Sequence, residues 1–231
     1  MIKLDHLLYF YDHLKIEFDF KVNKYERVAI LGPSGAGKST LLNLIAGFQY
    51  PKQGKIWLNK ENHTATPPIK RPVSILFQEN NLFSHLTVWQ NIALGISPNL
   101  SLKKCQCNTV KKIIKQVSLD NCITRLPSQI SGGERQRTAL ARCLIRKKPI
   151  LLLDEPFSAF DPILRNEMLM LLKQVCNELQ LTLMISSHNL EDSIKIATRY
   201  IVIKEGKIFY DGQLDCLING LTSAKYNVRN I

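Results

Sequence analysis

The chain has 231 residues, 45% of them hydrophobic, enough apolar surface for one large folded domain and too much for a disordered tail. No apolar run approaches the ~20 residues of a bilayer-spanning helix, and the opening MIKLDHLLYFYDHLK carries acids and no small-residue cleavage site, so neither a membrane span nor a secretory signal is expected. The formal charge is +12, but the basic residues are scattered rather than interleaved with aromatics, so no nucleic-acid groove is expected.

From residue 2 to 23, apolar and polar residues alternate in two short runs separated by YDHL, the pattern of an antiparallel hairpin. RVAIL at 27–31 is a β-rich run ending in a glycine-rich turn, and STLLNLIAGF behind it has helical spacing: strand, loop, helix. GKIWLN at 54–59 returns as a strand, PP at 67–68 marks a loop, and RPVSILF at 71–77 is another buried strand. Residues 83–145 lose the strand pattern, and apolar positions 110, 113, 114 and 117 form a helical stripe, which predicts an inserted helical subdomain. Strand-like runs resume in ILLL (150–153), TLMISS (182–187) and YIVI (200–203), and KEGKIFYDG predicts a hairpin turning at Glu205 and Gly206. Strands alternating with helices predict an α/β fold in a single domain over 1–231, its mainly parallel sheet covered on both faces. The six cysteines, at 105, 107, 122, 143, 176 and 216, have no zinc-site spacing, and reduced thiols are expected.

GPSGAGKST, from Gly32 through Pro33, Ser34, Gly35, Ala36, Gly37, Lys38 and Ser39 to Thr40, fits the phosphate-binding pattern G-x-x-x-x-G-K-[ST]. Its place after a strand and before a helix suits that role, because glycines let backbone N–H groups converge on phosphate oxygens while the helix dipole favours the anion. Lys38 would meet the β- and γ-phosphates, and the Ser39 hydroxyl would bind Mg²⁺. Alone, the motif says only that ATP or GTP binds; kinases, GTPases and motors all carry it. ILLLDEP then explains two acids at the end of a buried strand. Asp154 is expected to reach the Mg²⁺ shell from a strand beside the phosphate-loop strand, leaving Glu155 to polarise an attacking water.

ISGGERQRTALARCLIRKKP adds a small, donor-rich turn at Ser131, Gly132 and Gly133, with a helix expected to start near Glu134. Two phosphate-gripping termini serve one nucleotide awkwardly within a chain and naturally across two chains. In this order and spacing the residues resemble the ATP-binding subunit of ATP-binding cassette (ABC) transporters over essentially the whole length. The resemblance implies a P-loop NTPase (RecA-like) sheet with an N-terminal antiparallel β subdomain and a helical subdomain at 83–145. It implies ATP and Mg²⁺ as cofactors, a trans ATP contact through Ser131, Gly132, Gly133 and Glu134, and Glu155, His188 and Gln78 as catalytic residues. Ser39, Gln78 and Asp154 would hold Mg²⁺, Asp161 would cross a dimer interface, and Tyr11 would stack on adenine, in competition with Tyr9 and Phe10. The implied partners are a second copy of the chain, an integral membrane permease and a periplasmic solute-binding protein, at the cytoplasmic face of the inner membrane, with no nucleic acid. Within the family, ILGPSGAGKSTLLNLIAGF, RPVSILFQENNLFSHLTVWQNI and LARCLIRKKPILLLDEPFSA resemble the ATPases of bacterial thiamine importers, although no residue here would touch the cargo. An importer for another small solute, a soluble cassette acting on nucleic acid, a small-molecule kinase and an exporter remain rivals. Departures from the family pattern are Ile130, Glu134, Phe160 and Tyr25, where Leu, Gln, Leu and Gly are usual, and modest effects on affinity are expected.

Overall fold

A computed structural model describes residues 1–11, 14–77, 82–158 and 160–216. The opening hairpin forms as the alternation predicts, from β1 (Ile2–Tyr11) and β2 (Leu14–Val22), paired antiparallel with Leu4 opposite Phe20 and Tyr9 opposite Ile16. β3 (Arg27–Leu31) leads through the glycine-rich turn into α1 (Lys38–Ala46). β4 (Gln53–Leu58), the short β5 (Glu61–Asn62) and β6 (Val73–Leu76) follow. Then come α2 (Val88–Ala93), α3 (Lys104–Gln116) and α4 (Gly132–Leu144). The chain returns to the sheet with β7 (Ile150–Asp154), α5 (Pro162–Glu178), β8 (Thr182–Ser186), α6 (Leu190–Ile196), β9 (Arg199–Lys204) and β10 (Lys207–Gly212).

The ten strands form one sheet in the order β5-β4-β1-β2-β10-β9-β3-β8-β7-β6. β9, β3, β8, β7 and β6 are parallel neighbours, while β5, β4, β1 and β2 pair antiparallel, so the sheet is mixed. One expectation needs correction: β7 is not beside β3. β8 lies between them, in register with Ala29 opposite Ile185 and Asp154 opposite Ser186. The acid on β7 therefore faces the phosphate loop across the end of an intervening strand, which makes Ser186 a bridge.

β7 is buried along its whole length because both its faces are covered: Ile150 and Leu152 join the core that holds α1, Leu151 and Leu153 the core that holds α2 to α5. The predicted stripe of α3 is buried at Val110, Ile113, Ile114 and Val117, in the same cluster as Leu140 of α4 and Leu183 of β8. Among the described residues, 83–145 holds helices and no strand. Tyr25, in place of the usual glycine, adopts φ 66, and its N–H donates to Thr182 Oγ1 at 2.9 Å. The hairpin of β9 and β10 turns at Glu205 (φ 51) and Gly206 (φ 75), left-handed at both central residues as a two-residue hairpin turn requires.

Candidate functional site

The phosphate loop begins where β3 leaves the sheet. Gly32 has φ 150, and a Cβ there would sit 2.3 Å from the Ile203 carbonyl oxygen, so only glycine fits beside β9. Gly32, Ala36, Gly37 and Lys38 are buried, Pro33, Ser34, Gly35 and Ser39 are exposed, and Thr40 is half-buried in α1. Gly37, left-handed at φ 106, is the N-cap of α1, and among the described residues no side chain accepts from the first amides of that helix. Those donors are left for an anion.

Lys38 is 5% exposed, and its Nζ donates to the carbonyls of Gly32 at 2.8 Å and Pro33 at 3.0 Å. The same ammonium lies 3.5 Å from Glu155 Oε1, and His188 Nδ1 lies 3.2 Å from Glu155 Oε2. One carboxylate thus stands between a buried cation and an exposed imidazole. Its backbone is left-handed at φ 41, and the turn is pinned by Glu155 N–H donating to Ser186 Oγ at 2.8 Å. Ser186 Oγ in turn donates to Asp154 Oδ1 at 2.7 Å, and Ser39 Oγ donates to the same oxygen at 3.1 Å. A hydroxyl and a carboxylate brought together at the end of a P-loop are the oxygen donors that a hard divalent cation takes. Gln78, the third expected member, lies outside the described residues.

Register separates the three competing aromatics. Tyr9 and Tyr11 pair with Ile16 and Leu14, and Ile16 Cδ1 is 3.6 Å from the place of a Gly37 Cβ. Tyr9 packs into the core, Phe10 lies under Lys52 Nζ at 5.2 Å, and Tyr11 is 52% exposed. Among the described residues, Tyr11 shares the face of Ile16 and is the most exposed of the three rings.

The second group gathers at the starts of α4 and α5. The helix begins at Gly132, not near Glu134, and Ser131 is its N-cap. Ser131 Oγ accepts from Glu134 N–H at 3.2 Å, while Glu134 Oε2 accepts from Ser131 N–H at 2.7 Å. This reciprocal box uses donors that the sequence reading reserved for phosphate. The Ser131 amide holds the Glu134 carboxyl below its usual range, with burial opposing it. A Cβ on Gly133 would meet Leu164 of α5 at 2.9 Å, whereas Gly132 opens to space, its nearest neighbour being Arg135 Nη2 at 3.8 Å. Asp161 is exposed and caps α5, accepting from the amides of Ile163 and Leu164, each at 3.0 Å. Among the described residues no hydrogen bond of Ser131 or Glu134 reaches Lys38.

Two contributors were missed. Buried Gln136 donates from Nε2 to the Pro156 carbonyl at 2.6 Å, tying α4 to the residue after Glu155. Its signal was a polar residue on the apolar face of α4. Ser186, the bridge, was visible in the doublet before His188 and went unread because β7 was placed beside β3.

A family model described as "ABC transporter" matches residues 16–158, more than half of the chain. The chain belongs to the ABC transporter family. It is 62% identical over 220 residues to the thiamine import ATP-binding protein ThiQ of Photorhabdus laumondii, covering 95% of this chain and 94% of the relative. Identity to the protein of the same name from Yersinia pseudotuberculosis is 59% over 231 residues, 100% of this chain and 98% of that one. Among solved structures, an ABC transporter's ATP-binding cassette in its ADP conformation matches with a TM-score of 0.85 over 97% of this chain and 95% of that one, at 21% identity, a likeness of fold. A dimeric post-hydrolysis cassette bound to ADP and Pi matches with a TM-score of 0.78 at 26% identity, over 93% and 99% of the two chains. The expected P-loop ABC ATPase fold is therefore the one present. No helix of the described residues is long and apolar enough to cross a membrane.

Proposed function

We propose that this chain is the ATP-hydrolysing subunit of a thiamine importer. It works as a head-to-tail homodimer against a membrane permease supplied by a periplasmic solute-binding protein, at the cytoplasmic face of the inner membrane. The observation that carries the ATPase reading is the convergence on Glu155: Lys38 Nζ at 3.5 Å on one carboxylate oxygen and His188 Nδ1 at 3.2 Å on the other. A carboxylate poised between a phosphate-binding ammonium and an imidazole is placed to orient a water at a γ-phosphate. Lys38 would exchange its carbonyl partners for phosphate oxygens, with the free amides of α1 completing the cradle. Ser39 and Asp154, with Gln78, would hold Mg²⁺, which neutralises phosphate charge. Tyr11 would stack on the adenine.

The second group supports the pairing. Ser131 and Gly132 are open to solvent-side approach while Gly133 and Asp161 lean on the start of α5, so a partner's nucleotide can meet the former without disturbing the latter. Binding would draw two chains together, and loss of the γ-phosphate would let them part. The helical subdomain at 83–145 would pass that motion, through the Gln78 region, to the permease. Thiamine as cargo rests on the names of the relatives and on sequence likeness, since specificity belongs to the partner proteins; no nucleic-acid partner is proposed.

The test is to purify the chain with its permease in membranes and measure ATP hydrolysis with binding protein loaded by different solutes. Thiamine should raise the rate. Stimulation by another solute and not by thiamine would remove the cargo and leave the motor; salt-sensitive RNA or DNA binding without membrane association would remove both.

A further inference from the structure

The parallel strands carry the nucleotide residues at their C-terminal ends, the usual place for ligands in such sheets. A second concavity lies at the opposite edge. It is a cleft of about 410 Å³ where β6, β7 and β8 begin and where α4 and α5 end, within the size range of small-molecule sites. Leu144, Pro149, Leu151 and Leu181 make its apolar walls, with Tyr25 and Leu179, both partly exposed, at the mouth.

Two features distinguish it from a packing gap. The first is Ser74 on β6, 2% exposed and one of the residues lining the cleft, whose buried hydroxyl has no hydrogen-bond partner among the described residues. Buried hydroxyls are normally satisfied, so an orphan in the wall of a cleft is a donor in need of an acceptor. The second is charge. Lys24, Lys147 and Lys148 line the cleft and no acidic side chain does. Lysines after a helix commonly offset its negative C-terminal end, but two such ends of about half a charge each leave roughly two of the three positive charges uncompensated.

We propose that this cleft binds a small amphipathic organic anion: an aryl or alkyl body against the leucines, with one carboxylate, sulfonate or phosphate group held by the lysines and Ser74. Lys24 Nζ already sits 4.6 Å over the Tyr25 ring, so an aromatic body entering there finds both a ring face and a cation. The site is independent of the nucleotide loop. Yet α4 and β7 each run from this cleft to the opposite edge, where they carry Ser131 and Asp154.

The probe is 8-anilinonaphthalene-1-sulfonate, titrated into the full chain with and without excess ADP and followed by its emission. Saturable binding at one site per chain, unchanged by ADP, is the expected result, with the neutral analogue N-phenyl-1-naphthylamine binding more weakly. Lys147→Glu combined with Lys148→Glu should weaken the probe about tenfold or more, the scale of a lost charge contact. Leu179→Trp, at an exposed position that the fold tolerates, should block entry. Non-saturable uptake, displacement by ADP, or a dissociation constant that neither the charge reversal nor Leu179→Trp moves beyond about twofold would overturn the proposal.

Discussion

Glu155 shows how much chemistry one side chain inherits from its neighbours. Its carboxylate is only 20% exposed and is shared between Lys38 and His188, so Glu155→Gln keeps the shape of the group but exchanges one acceptor oxygen for a donor and removes the charge that polarises water. The variant should retain ATP affinity and lose about 10²–10⁴-fold in turnover, read by nucleotide binding and phosphate release side by side. Hydrolysis at the parent rate would take away the role assigned to the carboxylate. Glu134 offers a different test at the same scale. Its folded pKa is depressed, chiefly by the Ser131 amide, so its contribution to stability is present above the unfolded carboxyl value and is lost as pH falls through the folded one. Glu134→Gln keeps an acceptor for that amide without the charge. Parent and variant should therefore differ in urea midpoint near neutral pH and converge as the pH falls below the carboxyl's depressed folded value. The thiols separate just as sharply. Burial pushes Cys143 up to about 11 and Cys176 up to about 12, while Cys105 and Cys216 are exposed. Maleimide at about pH 7.5 should label the exposed pair in the native protein and spare the buried two.

At the scale of elements, α1 is held at both ends by different means. Its N-terminus is left uncapped for an anion; its C-terminus is tied down by Arg71, a fully buried guanidinium that donates to the carbonyls of Leu44 at 2.7 Å, Ile45 at 2.9 Å and Thr66 at 2.8 Å. No carboxylate pairs with it among the described residues; the helix C-terminal carbonyls receive the charge. Arg71→Leu leaves those acceptors buried and unpaired and should cost about 3 kcal/mol or more in urea unfolding, with Arg71→Lys a poor rescue because an ammonium lacks the planar fork. Nothing in RPVSILF announced this residue as an anchor, because its partners are backbone atoms, and the two at the end of α1 lie more than twenty positions away. The same reasoning divides what was legible from what was not. Periodicity placed the hairpin of β1 and β2, the stripe of α3 and the buried β7, since each pattern is local. Strand order is not local, so β8 between β3 and β7 went unseen, and Ser186 with it. The start of α4 was read late because glycines at its first two positions mimic a loop, while the cap that decides the boundary is a reciprocal bond between Ser131 and Glu134.

For the whole molecule the question is whether one chain makes a complete site. Among the described residues, the group around Glu155 and the group around Ser131 are joined through scaffold contacts such as Gln136 to Pro156. In a head-to-tail pair, every site would take its phosphate loop from one chain and its Ser131 turn from the other, so defects in the two groups should complement each other between chains. Lys38→Ala disables the loop. Gly132→Asp places a negative charge at the turn without disturbing the fold, because a side chain at Gly132 meets open space. Each variant alone should be nearly inactive, since both sites of its dimer contain the defect. Mixed in equal amounts, half the pairs combine the two, and each of those holds one site with both halves intact, restoring about a quarter of the parent rate where the sites act independently. If a chain completed its own site, the mixture would stay as inactive as its components. Co-reconstitution with the permease, followed by phosphate release against mixing ratio, distinguishes the two outcomes: a curve that peaks near equal amounts belongs to the shared site, and a flat one to the self-contained chain.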